Sequence, residues 1–160
     1  MFERIVVPLD GSRLSAQALP YAMTLAQQFK AAIMLLRVVS NNTVHYVPPP
    51  SAIGDTLATD IISEQVHIKD VESTAHAKRY LINRAKEMRD HDIDVSYHVM
   101  QGSPANSIME FATKNNASLI VMMSHGRGRF KRAILGSVAD ALIRHVSIPV
   151  LVIRAKDAES

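Results

Sequence analysis

Five apolar runs separated by stretches of helical period constrain this chain more than any other feature. The runs are residues 4–9 (RIVVPL), 32–39 (AIMLLRVV), 93–99 (IDVSYHV), 118–123 (SLIVMM) and 148–153 (IPVLVI). Between the first two, Ala16, Leu19, Met23, Ala26 and Phe29 recur at helical spacing. Pro20 lies inside that pattern, and by removing a backbone donor it is expected to bend the helix. A long helix is predicted over 66–90, with Val71, Ala75, Leu81, Ala85 and Met88 on its buried face. Gly102-Ser103-Pro104 opens a third helix, serine as cap and proline in the first turn, and Ser137 to Val146 reads as a fourth.

The order β-α-β-α-β-α-β-α-β implies a parallel sheet between helix layers, joined by right-handed crossovers. Runs 32–39 and 118–123 are apolar almost throughout, as strands covered on both faces should be. Run 93–99 instead alternates, Ile93, Val95, Tyr97 and Val99 against Asp94, Ser96 and His98, and is expected at a sheet edge. Residues 40–65 interrupt the pattern with three consecutive prolines and little periodicity, an inserted loop that suits a lid or a partner-binding segment as well as a surface insertion. No repeat or second domain is visible. One domain over 1–155 and a polar tail over 156–160 are expected.

Composition narrows the function classes. With no cysteine there is no disulfide, thiolate metal site or cysteine nucleophile. The N-terminal MFERIVVPLDGS has too short an apolar run for a signal peptide, and no stretch has the length of a membrane span, so a cytoplasmic location without membrane contact is expected. Eighteen bases against fifteen acids give a net charge of +3. Only Arg127, Arg129, Lys131 and Arg132 cluster, and no aromatic platform accompanies them, so nucleic acid is not an expected partner.

Two strand ends carry unusual chemistry. Asp10-Gly11-Ser12 follows the first strand, and the basic stretch ending in Gly136-Ser137 follows the fourth. Ligands of open α/β sheets bind beyond the carboxyl ends of the strands, where the strand order reverses. If these two strands are neighbours, Asp10 faces the glycine loop across one crevice. Its carboxylate would accept hydrogen bonds from a ribose or a base, or else merely cap the first helix. The loop amides, the helix N-terminus at Gly136 and the hydroxyl of Ser137 would hold phosphate. Gly126 would let the backbone leave strand four. His125 has no second catalytic partner at a readable spacing, and His45, His67, His76, Asp55 and Asp60 show no metal-ligand spacing.

Gly126, nine intervening residues and Gly136-Ser137, together with VPLDGS, LLRVV, GSPANSI, SLIVMMSHGR and LGSVADALIRHVSIPVLVI, resemble the universal stress protein family along nearly the whole chain. The resemblance implies a five-stranded parallel open sheet with helices on both faces, of the adenine-nucleotide α-hydrolase-like type, strand order 3-2-1-4-5. It further implies adenine-nucleotide binding by Pro8, Asp10, Val38, Gly126, Arg127, Gly136, Ser137 and Val138. The ligand is expected to be ATP, or AMP or ADP, with magnesium. No metal site built by the protein and no catalytic residue is expected, and the nucleotide serves as a regulatory state and not for turnover.

Met123 stands where the family's nucleotide motif has its first glycine. Its side chain either fills space the nucleotide needs or packs into the core. The first outcome would make the chain a member that holds no nucleotide and recruits a protein partner. A nucleotidyl-transfer enzyme is a further rival, without a readable catalytic histidine signature. The last strand is apolar and expected at an edge, so a homodimer pairing residues 149–153 is also implied.

Overall fold

The computed structural model describes residues 1–40, 56–124 and 135–154, with residues 56–71 described through their backbone alone. The elements run β1 (Arg4–Pro8), α1 (Arg13–Ala16), α2 (Leu19–Phe29), β2 (Ala32–Val39), α3 (Thr56–Arg89), β3 (Val95–Gln101), α4 (Pro104–Lys114), β4 (Leu119–Met123), α5 (Ser137–His145) and β5 (Val150–Ile153). The five strands form one sheet in the order β3-β2-β1-β4-β5, every pairing parallel. This is the expected architecture, with β3 and β5 at the edges.

Alternating strand residues feed two cores, one on each face. Ile5 and Val7 of β1, Ile33 and Leu35 of β2, and Leu119, Val121 and Met123 of β4 pack with Leu19, Ala22 and Ala26 of α2 and Leu81, Ala85 and Met88 of α3. Val6, Met34, Leu36, Ile120 and Met122 face the other way, onto Ile108, Phe111 and Ala112 of α4 and Ala139 and Leu142 of α5. Period two in a strand buried on both sides makes every residue apolar, which is why β4 reads LIVMM. Each fully buried aliphatic side chain contributes about 1.5–3 kcal/mol. The sheet and its two helix layers therefore stabilise each other.

Pro20 does not bend a continuous helix. The chain instead makes the short α1, then starts α2 at Leu19 with proline in its first turn, where its missing N–H has no intrahelical partner to lose. α3 begins ten residues earlier than the spacing predicts, so residues 56–65 of the expected loop are helical. Residues 41–55 of that loop, with Pro48-Pro49-Pro50, lie outside the described residues, as does the tail beyond residue 154. The buried stripe of α3 runs Ala77, Leu81, Ala85, Met88. Ala75, expected on it, is exposed because it stands two residues, about 200° of helix, before Ala77. Among the described residues, no helix is long and apolar enough to cross a membrane.

The edge strand β3 is half-buried. The His98 ring lies 4.8 Å from that of Phe111, tilted at 52°, and shares a 3.2 Å hydrogen bond with the Ser96 hydroxyl. Burial pushes the His98 imidazole below its ordinary value of 6.5. The neutral form is then favoured in the folded chain. Stability is fully present above 6.5 and falls as the pH drops through the folded midpoint, because the unfolded chain takes up the proton more readily. Urea unfolding between pH 7.5 and 5 should show that loss, and His98→Gln should flatten the slope.

Candidate functional site

The site is built at the carboxyl ends of β1 and β4. Ile5 pairs with Leu119 and Val6 with Ile120 in parallel, so the two strands end on the same rim, Asp10 following the end of β1 and Ser124 the end of β4. On one side of this pair the chain continues through β2 to β3, on the other through β5. The strand order therefore reverses between β1 and β4, where a crevice opens in folds of this kind.

Asp10 is half-buried and shapes its own turn. Its Oδ1 accepts a 2.8 Å hydrogen bond from the Ser12 amide. Ser12, not Asp10, caps α1: its Oγ accepts from the Ser15 amide at 3.0 Å. The buried Ser15 hydroxyl donates to the Ser12 carbonyl at 3.1 Å and accepts from the Asp10 amide at 3.3 Å. Asp10 is thus released from capping and held by a turn of three polar side chains. Gly11 sits at φ +81°, a conformation that residues with a Cβ rarely adopt.

Opposite, the buried Ser124 continues β4. Its amide donates to the Ile153 carbonyl at 2.8 Å, and its carbonyl accepts from the Gly136 amide at 2.6 Å. That second bond ties the start of α5 to the end of β4. Gly136 is the N-cap, at an ordinary extended φ of −73°, and supplies no side chain to the first-turn amides. Ser137 is exposed at the tip of α5, and Val138 is half-buried. An N-terminus of this kind presents oriented N–H groups and the positive end of the helix dipole.

Pro8 ends β1, paired with Leu36. Val38 and Val138 pack in the same apolar cluster, on the α4/α5 face. The side chain of Met123, 4% exposed, belongs to the core on the α1/α2/α3 face. The thioether therefore lies across the sheet from Val38 and Val138. Gly126, Arg127, His125 and the other clustered bases lie outside the described residues.

Sequence reasoning missed two parts of the site. Ser15 was readable only as a helix residue, since nothing in the sequence marks it as the third member of the turn. Arg37 left a signal: it is the one charge in the strand AIMLLRVV. Its guanidinium stands where a Cβ on Gly11 would be, and its Cζ lies 5.5 Å from the Tyr80 ring centroid. A hollow of about 520 Å³ along Lys78, Tyr97, His98, Val99, Met100 and Phe111 follows the β3 edge and has none of these site residues in its lining.

Known proteins share this fold. A sequence model described as the Universal stress protein family matches residues 1–154. Universal stress protein MJ0531 of Methanocaldococcus jannaschii is 31% identical over 159 residues, 99% of this chain and 86% of that protein. The solved structure of MJ0577, from the same organism, superposes with a TM-score of 0.81 at 25% identity, covering 99% of each chain. A universal stress protein family protein of Arabidopsis thaliana, solved with AMP bound, shares the fold with a TM-score of 0.59 at 14% identity, over 98% of this chain and 94% of its own. From its first strand through its last, the chain belongs to the universal stress protein family.

Proposed function

We propose that this chain is a regulatory, homodimeric universal stress protein that binds an adenine nucleotide, ATP before ADP or AMP, between the Asp10 turn and the 126–137 connection. The observation that carries the reading is the tie between Ser124 and Gly136, which puts a helix N-terminus beside the strand whose end carries Asp10. A half-buried carboxylate suits a ribose hydroxyl or a base N–H. A helix tip with an exposed serine suits a phosphate. Val38 and Val138 offer apolar surface for a purine ring on the face that Met123 leaves clear. AMP in the Arabidopsis fold relative supports an adenine nucleotide as the class to try first. Binding without turnover, in the cytoplasm, completes the reading.

Calorimetric titration with ATP, ADP and AMP in magnesium buffer tests it. Saturable heat is expected with ATP, abolished by Gly136→Val and weakened about tenfold by Asp10→Asn, the loss of one charge-assisted hydrogen bond. Released phosphate should stay at the buffer rate. Absence of heat in the wild-type protein overturns nucleotide binding and favours the protein-recruiting alternative.

Dimerisation through 149–153 rests on β5. Its only strand partner among the described residues is β4, Leu151 is 37% exposed, and beside it lies an apolar hollow of about 300 Å³ lined by Pro20, Tyr21, Thr24, Leu25 and Leu151. An apolar edge strand of this kind invites a second strand. Sedimentation equilibrium should give a dimer, and Leu151→Lys should give a monomer with its circular dichroism intact. A wild-type monomer at tens of micromolar rules the interface out.

A further inference from the structure

We propose that Arg37 is a positioning residue for the Asp10 turn: its guanidinium plane, seated on the bare backbone of Gly11, fixes the segment that presents the carboxylate. The bearing of this on ligand binding rests on the nucleotide reading above.

Three observations place the group. Arg37 follows Ile33 and Leu35 on the α1/α2/α3 face of β2, one residue short of Val38 on the opposite face. Its Cζ and Nη2 stand 2.7 and 3.0 Å from the point a Gly11 Cβ would occupy, so the contact exists only because residue 11 has no side chain. It also lies against Tyr80 of α3, a ring it shares with Arg84, whose Cζ lies 5.4 Å from the centroid. A guanidinium stacks on an aromatic ring and on a peptide plane as an ammonium does not.

The two arginines at Tyr80 are employed differently. Arg84 donates to both Glu87 carboxylate oxygens, at 3.0 and 3.2 Å, and that pairing raises its pKa. It is part of the α3 surface. Arg37 reaches from the sheet to the turn between Asp10 and Ser12. The turn's own hydrogen bonds, Ser12 amide to Asp10 Oδ1 and Ser15 to Ser12, fix its shape from within. Arg37 supports it from outside, at the glycine whose φ of +81° residues with a Cβ rarely adopt.

The experiment separates this role from simple packing. In nucleotide-free protein, Arg37→Ala should speed amide exchange at Ser12 about tenfold while exchange in β1 and β4 is unchanged. Unchanged exchange at Ser12 overturns the proposal. With ATP, Arg37→Ala should raise the Kd about tenfold, and Arg37→Lys, which keeps the charge but not the plane, should restore little of it. Gly11→Ala displaces the guanidinium by itself, so adding Arg37→Ala to it should change the Kd no further. Independent, additive effects overturn the proposal, as does a Kd that Arg37→Ala leaves alone. If the wild-type chain binds no nucleotide but Ser12 exchange responds, the turn-positioning claim holds and the nucleotide reading is what has failed.

Discussion

The pairing of β1 with β4 is the constraint on which the site depends. These strands are distant in sequence, yet Ile5 lies against Leu119 and Val6 against Ile120. Without that contact the Asp10 turn and the α5 tip would belong to different parts of the molecule. A parallel sheet sends all its strands the same way, so all their carboxyl ends open on one rim. The reversal of strand order between β1 and β4 then leaves room at the rim where the two crossovers part. Chemistry collects there because the helices cover the faces and leave the rim as the place where polar backbone reaches solvent.

Much of the fold was legible because burial on both faces is a strong sequence signal. Five apolar runs alternating with helical stretches read as parallel strands, and period two in 93–99 marked the edge. What escaped was local. Pro20 looks like a kink when helical spacing runs through it from Ala16 to Phe29, but proline at the start of α2 costs no hydrogen bond, so a helix break is the cheaper solution. Residues 56–65 form the first turns of α3, which the three prolines and weak overall periodicity of the 40–65 stretch concealed.

The site was legible in its strand ends and illegible in its supports. Asp10, Gly136 and Ser137 announce themselves as turn and helix-start residues, and the family resemblance joins them. Whether Asp10 caps α1 was open from sequence alone. Ser12 takes that task, which leaves the carboxylate to the turn. Met123 had two outcomes, and strand parity decides between them: residues 119, 121 and 123 share one face, so the thioether follows Leu119 and Val121 into the core beneath α2. Val38 is even in its own strand's alternation and joins Val138 on the other face.

The two glycines show why residue type alone underdetermines a site. Gly136 invites the argument that only glycine could bend there, yet its φ of −73° is open to any residue. Its use is to start a helix without bringing a capping side chain of its own. Gly11 invites only a turn, yet it meets two demands together, a φ of +81° and the footprint of an arginine arriving from the next strand. A side chain at 11 would strain the backbone and push Arg37 away from the turn. The glycine that matters for positioning is therefore the one whose missing side chain another residue already uses.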